Sequence, residues 1–433
     1  MRVGELACQR DSYLKVLDTV VVSCVPATAS NPSPAGTEPL WEIEFEDTVL
    51  FPEGGGQPTD HGTLTSLRID PTLQIPITRI HRHGLRAVHF SPVPLDAGTP
   101  VTQHVDFDRR MDHMQQHTGQ HLLSAIMDTY EGLETLGWSM GASISVTDDD
   151  VAPNMNFVEV GRKPTDEEID EIQRRCNEVI SRNVRITVDT PEDAKVDSLP
   201  SDYDAEKGVV RVIKIEGIDE NACCGTHLSQ TSHISLLLLH HTQPIRGTNT
   251  RLYFTAGARA IRLSTLATRT LRSVSGLLSA NPAHPNEVIQ RVDKLNAQVR
   301  DMGRARRKLE TEIAGYEAAR VIRELDAGRR AAFVYRVCET GADFIMAVTG
   351  ALKDGGFDER EGVVVLLVAV AETGGGGPVV IIGDEKEVER VVERVKVILP
   401  DVKGGGKGKR WQGKIARLAT AQLKALGTLI ESA

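Results

Sequence analysis

The chain has 433 residues, of which 40% are hydrophobic, 25% charged and only 4% aromatic. That length calls for roughly two to four domains, and that composition for ordinary globular cores built on Val, Leu, Ile and Ala. The net charge of −10 excludes a generic nucleic-acid binder with a uniformly basic surface, but not a local basic patch.

The N-terminal MRVGELACQRDSY has no apolar stretch ahead of a small-residue cleavage site. The longest apolar run, Val363 to Ala371, is too short for a bilayer, so a cytoplasmic protein without a membrane partner is expected. The first hundred residues read as β, with strands over Val20–Val25 and Leu40–Phe51. Turn signals at Asn31-Pro32-Ser33-Pro34, Glu53-Gly54-Gly55-Gly56 and Asp96-Ala97-Gly98 suggest a small barrel or sandwich. From Asp106 the texture changes. Arg109 to Tyr130 carries the helical stripe Leu122, Leu123, Ile126 and Met127, and Asp166 to Ser181 is a second helix. Val209–Ile215 and Ile234–His240 read as strands, giving a mixed α+β domain.

Residues 260–325 read as helical. Val288, Val292, Leu295, Val299, Met302, Leu309, Ile313 and Tyr316 form a heptad seam, which fits either a two-helix linker or a dimerising coiled coil. The last hundred residues read as α/β. Strands are expected at Phe344–Val348, Val363–Ala371 and Pro378–Gly383, a helix at Asp384–Leu399, and glycine loops at Gly374–Gly377 and Gly404–Gly406. The expected fold is α+β in four parts: an N-terminal small β-barrel (1–105), an α+β zinc-binding domain (106–262), a helical linker (263–328) and a C-terminal α/β domain (329–433).

Two short pieces carry most of the chemistry. His117-Thr-Gly-Gln-His121 places two imidazoles four residues apart, hence on one helical face. Cys223-Cys224-Gly-Thr-His227 offers a thiolate and a third imidazole from a turn. Together they make a His₃Cys set suited to one tetrahedral zinc ion per chain, with Cys224 the alternative thiolate. Three histidines leave such a site better suited to Lewis-acid work than a cysteine-rich structural one. The six cysteines are scattered and do not form a disulfide framework.

These motifs resemble the HxxxH and CxxxH pairs of the editing domain of alanyl-tRNA synthetase and its freestanding relatives. Phe51-Pro-Glu-Gly-Gly-Gly-Gln-Pro58 looks like that family's glycine-rich loop. Asp106–Arg110, Met114–Leu123, Arg211–Gly217 and Thr248–Gly257 match the segments around its metal pairs. Gly404–Gly413 is similar to its C-terminal glycine-rich loop, and Cys8–Tyr13 fits the long form with a C-terminal domain. The resemblance implies that His117, His121, Cys223 and His227 bind zinc. It also implies hydrolysis of tRNA(Ala) misacylated with serine, or with glycine, while alanyl-tRNA(Ala) is spared. No aminoacylation domain precedes this part, so alanyl-tRNA synthesis is not expected. The synthetase pattern has a Gln in the strand after the metal helix, and Gly137-Trp-Ser-Met-Gly141 has none.

Thr118 and Thr226, beside the ligands, are candidates for reading a substrate hydroxyl, against simple capping or turn bonding. Gly54, Gly55, Gly56 and Gln57 are candidate substrate contacts, the glycines through backbone N–H, against a plain tight turn. Lys403, Lys407, Lys409, Arg410 and Lys414 could grip an RNA backbone while Trp411 stacks on a base. The competing reading is a zinc-containing protein that binds tRNA or a chaperone without significant turnover.

Overall fold

The computed structural model describes residues 1–27, 40–66, 68, 70–142, 154–190, 209–372 and 374–432; the predicted turn at Asn31–Pro34 lies outside them. The chain divides into two compact units, Met1–Val274 and Ser275–Ala433.

The first unit opens with a short helix α1 (Ala7–Arg10) and the strands β1 (Val16–Pro26), β2 (Trp41–Phe45), β3 (Gly62–Ser66), β4 (Asp70–Ile77), β5 (Ile80–His83), β6 (Arg86–Ser91) and β7 (Pro100–Val105). These form one antiparallel sheet in the order β4-β3-β7-β1-β2-β6-β5. The sheet curls so that β4 returns against β6. Among the described residues no ladder joins its two edges, so the expected small barrel is a half-barrel. It wraps an apolar core that includes Val21, Ile43, Leu64, Ile75, Ile77 and Ile80.

The strand expected over Leu40–Phe51 stops at Phe45. Asp47 pulls the chain out of the ladder: its carboxylate accepts from the Ala7 and Thr48 amides and its own N–H donates to Thr19 Oγ1. Val49, Leu50 and Phe51 then turn inward as a fully buried plug.

Helix α2 (Phe107–Met127) begins two residues before the expected Arg109 and ends before Tyr130, with Asp106 capping the Arg109 amide. The unit continues with β8 (Gly137–Ser139), β9 (Asn156–Val160), α3 (Asp166–Arg182), β10 (Ile186–Asp189), β11 (Val212–Ile215), β12 (Asp219–Ala222), β13 (Leu237–Pro244), β14 (Thr250–Ala256) and α4 (Gly257–Leu277). Two antiparallel sheets, β13-β14-β9-β8 and β10-β11-β12, pack with α2 and α3 around a core containing Leu122, Leu123, Ile126, Ile172, Ile213, Leu237 and Phe254. The strand expected from Ile234 starts at Leu237, because Thr231–Ile234 is a 3₁₀ turn.

The second unit comprises α5 (Pro285–Asp326), β15 (Ala331–Val337), α6 (Gly341–Asp354), β16 (Val364–Val370), β17 (Gly377–Gly383), α7 (Glu385–Ile398), β18 (Lys403–Lys407), β19 (Arg410–Ile415) and α8 (Thr420–Glu431). Its sheet runs β15-β16-β17-β19-β18, with β15 and β16 parallel and the other pairs antiparallel. Two expectations are corrected here. Phe344–Val348 is helical: Phe344, Ile345, Val348 and Leu352 bury one face of α6, and the neighbouring strand is Ala331–Val337. Gly404–Gly406 is the middle of β18 and not a loop. A Cβ on Gly404 would stand 2.3 Å from the Gln412 carbonyl oxygen and 2.8 Å from the Trp411 ring. Only glycine lets this strand lie so close to its partner. Among the described residues no helix is long and apolar enough to cross a membrane.

Candidate metal centre and its cleft

Helix α2 supplies His117 and His121 from one face, and the turn after β12 supplies Cys223 and His227. Their donor atoms all lie within 4.8 Å of one another, and all four residues are buried. Cys223 Sγ is 3.3 Å from both His117 Nε2 and His227 Nε2. Cys224 lines the cleft beside this cluster and is not part of the donor set.

Each imidazole is held by its other nitrogen. His117 Nδ1 donates to Gln57 Oε1 at 3.0 Å and His121 Nδ1 to Asp219 Oδ2 at 3.1 Å, while His227 Nδ1 meets Thr118 Oγ1 at 3.3 Å. The Nε2 lone pairs are thereby left for the common centre, the tautomer a metal-binding histidine needs. In the metal-free site the charges of these groups are coupled. Burial alone would raise the Cys223 pKa, but His117 and His227 outweigh it and hold the thiol well below its usual value, as a thiolate. Burial would lower the His121 pKa; the Asp219 carboxylate and Cys223 overcome it and raise it to about 10. His227 is pushed down to about 3, by burial first. Three inward Nε2 atoms and one thiolate fit a tetrahedral divalent ion.

Several contacts fix this arrangement. Arg211, just before β11, is buried and donates to the carbonyls of Cys224 and Gly225 at 3.0 and 2.7 Å, and to that of Gln9 at 2.8 Å. Gln9 Nε2 donates to the Cys224 carbonyl at 2.8 Å. The Ser12 hydroxyl accepts from the His227 amide, and the Tyr13 hydroxyl from the Ser229 amide. The Cys8–Tyr13 segment is therefore a brace beneath the metal turn. Arg110, fully buried, donates to Asp60, Ser12 and Val49, and ties the start of α2 to the half-barrel. Gly225 packs so close to His117 that a Cβ there would lie 2.3 Å from the ring.

Beside the donors opens a cleft of about 440 Å³, lined in part by Gly55, Gln120, Ser124, Thr135, Trp138 and Cys224. Trp138 leans on His117, ring centroids 4.9 Å apart, and covers Gly56. Where the synthetase pattern has a glutamine strand, this chain places an indole wall.

The remaining predicted residues fall as follows. Gly55 and Gly56, with φ of 61° and 79°, form a two-residue turn closed by hydrogen bonds between Gly54 and Gln57. Gly55 reaches the metal cleft, and all three glycines border a second hollow with His81, Arg82 and His83. Gln57 is fully buried and clamps the site from behind: its Oε1 also accepts from the Thr226 amide and its Nε2 donates to Thr226 Oγ1. Its side chain is buried against His117. Thr118 and Thr226 are likewise fully buried, bonded to His227 and Gln57, and neither lines the cleft. Both therefore sit behind the donor cluster, against His227 and Gln57. In the second unit Lys403, Lys407, Lys409, Arg410 and Lys414 are exposed. Trp411 is buried in that unit's core under the glycine strand, so it has no free face for a base.

Sequence reasoning missed Asp219, Trp138, Arg211 and Gln9. Only Asp219 left a signal, as an acidic residue close before the cysteine pair, where a carboxylate can back a ligating histidine.

The profile of the threonyl and alanyl tRNA synthetase second additional domain matches residues 210–253, the stretch that includes Cys223 and His227. A Saccharomyces cerevisiae protein, alaX, named as an alanyl-tRNA editing protein, is 35% identical over 98% of this chain and 96% of its own length. The alanyl-tRNA editing protein of Danio rerio is 34% identical over 97% of this chain and 96% of its own. The alanine–tRNA ligase of Methanothermobacter thermautotrophicus is 29% identical over 55% of this chain but only 26% of its own length, so the likeness there is to a part. Near-complete mutual coverage at this identity, together with the synthetase-related domain around the second metal pair, shows that the chain belongs to the alanyl-tRNA editing protein family.

Proposed function

We propose that the chain is a zinc-dependent hydrolase that releases wrongly attached amino acids from tRNA(Ala), chiefly serine and also glycine, and spares alanyl-tRNA(Ala). The observation that carries this reading is the convergence of three Nε2 atoms and one thiolate at the wall of an open cleft. The names of the relatives supply the substrate class. His117, His121, Cys223 and His227 would hold the zinc, which when bound polarises the ester carbonyl as a Lewis acid. The chain's own part is to admit the 3′ end to the cleft bordered by α2, Trp138 and the end of β12, present the Gly55 turn beside it, and keep the ligands fixed through Gln57, Asp219 and Thr118. Aminoacyl esters hydrolyse readily, so binding and orientation supply most of what is needed.

The exposed lysines and Arg410 of β18–β19 are the proposed grip on the tRNA backbone. The division at 105, 262 and 328 is the proposed domain layout, and the heptad seam of α5 the proposed seat of self-association. Deacylation of seryl- and alanyl-tRNA(Ala) by purified protein, beside His117→Ala, tests the function. Serine release lost in the variant, by at least about a hundredfold, is expected. Full activity in His117→Ala sinks the metal-dependent reading, and no release by the native chain favours a tRNA- or chaperone-binding protein.

A further inference from the structure

The cleft runs from the donors along one face of α2. Gln120 and Ser124 flank His121 at −1 and +3, so Ser124 lies one turn beyond it, roughly 5 Å along the axis. Gln120 Nε2 donates to Ser124 Oγ at 2.8 Å, and Ser124 Oγ meets Thr135 Oγ1 at 2.7 Å. All three residues line the cleft that the donors border.

The protons of this chain can be counted. Ser124 Oγ already accepts from Gln120, and the two hydroxyls share one hydrogen bond, which consumes one of their two protons. Whichever way that bond points, one hydroxyl proton is left over. Gln120 Oε1 carries no hydrogen bond among the described residues. The group therefore offers a spare hydroxyl donor, the second Gln120 Nε2 proton and the Gln120 Oε1 acceptor, one helical turn from His121. That is the complement of a small aliphatic hydroxyl, which is both acceptor and donor.

We propose that Gln120, Ser124 and Thr135 form the specificity element of the cleft, binding the side-chain hydroxyl of a misattached serine. The inference rests on the editing reading above and names what that reading left open, since Thr118 and Thr226 are spent behind the ligands. Alanine has no hydroxyl to meet the spare donors and acceptor, which stay unpaired when it enters. A site built to bond a hydroxyl discriminates strongly against the analogue without one. Glycine, lacking a side chain, leaves the element unused.

The test compares native protein with Thr135→Val, which keeps the shape and removes the hydroxyl, and Thr135→Ser, which restores it. Release of serine and of glycine from tRNA(Ala) is measured with each, and bound metal is quantified. Expected is a fall of about tenfold to a hundredfold in kcat/KM for seryl-tRNA(Ala) in Thr135→Val. Glycine release and metal content are unchanged, and Thr135→Ser recovers serine release. Ser124→Ala gives the same selective loss as a second, independent variant. Equal loss on both substrates, or no loss on serine, overturns the proposal while leaving the editing function standing. Native protein that releases neither amino acid brings down the editing reading, and this proposal with it.

Discussion

The Asp219 carboxylate accepts from His121 Nδ1 with one oxygen and is steadied by Asn221 Nδ2 through the other. It orients the ring so that Nε2 faces the other three donors. Outer partners of this kind typically change metal affinity by about 10–100-fold. Asp219→Ala is expected to weaken zinc binding by that amount, measured by competition with a chromophoric chelator, with the circular dichroism spectrum intact. Unaltered affinity would show that the carboxylate is incidental. At this scale the ligands were legible and their supports were not. His117 and His121 share a face by helical geometry alone, which any reader of the sequence can compute. Gln57 lies 60 residues before its histidine and Asp219 98 after its own, separations that only the tertiary fold brings together. The same blindness misplaced Thr118, Thr226 and Trp411, whose residue types suggest exposed chemistry but whose positions are interior.

Among the elements, the β11–β12 hairpin matters most to the site. Its register pairs Val212 with Ala222 and Ile215 with Asp219, which sets Cys223 at the exit and Asp219 beside His121. Arg211, at the hairpin's mouth, holds the following turn by its carbonyls. Replacing it with Met strands buried acceptors. A loss on the order of 3 kcal/mol is expected, together with poorer metal retention. Thermal unfolding and metal analysis of Arg211→Met measure both; native values in each would remove Arg211 from the account. The sequence reading of elements succeeded where period and capping agreed, as in α2 and α3. It failed where composition was ambiguous. Phe344–Val348 is a short apolar run that suits strand or helix, and its helical register appears only over the longer span to Leu352. Gly404–Gly406 looks like a loop by propensity, and becomes a strand because glycine alone fits against Trp411.

For the whole molecule, the α+β class, the change of texture at Asp106 and a curled N-terminal sheet were readable, but the strand order that leaves it a half-barrel was not, since strand order is a long-range property. The heptad seam on α5 is exposed at Val292, Leu295, Val299, Met302, Leu309 and Tyr316, an apolar stripe that a second copy would cover. Sedimentation across a concentration series is expected to show a dimer, and Met302→Glu a monomer; a monomer throughout leaves α5 as a linker. The brace formed by Cys8–Tyr13 also bears on how the chain is made. Gln9 leaves the ribosome before its partner Cys224, which is 215 residues further along the sequence. At about 5–20 residues per second that interval is roughly 10–40 s. Throughout it, α1 lacks the turn it will support, and His117 and His121 lack Cys223 and His227. The four-residue donor cluster therefore cannot form on the nascent chain until the middle of the protein has emerged. The brace and the turn it holds are joined by a single late closure.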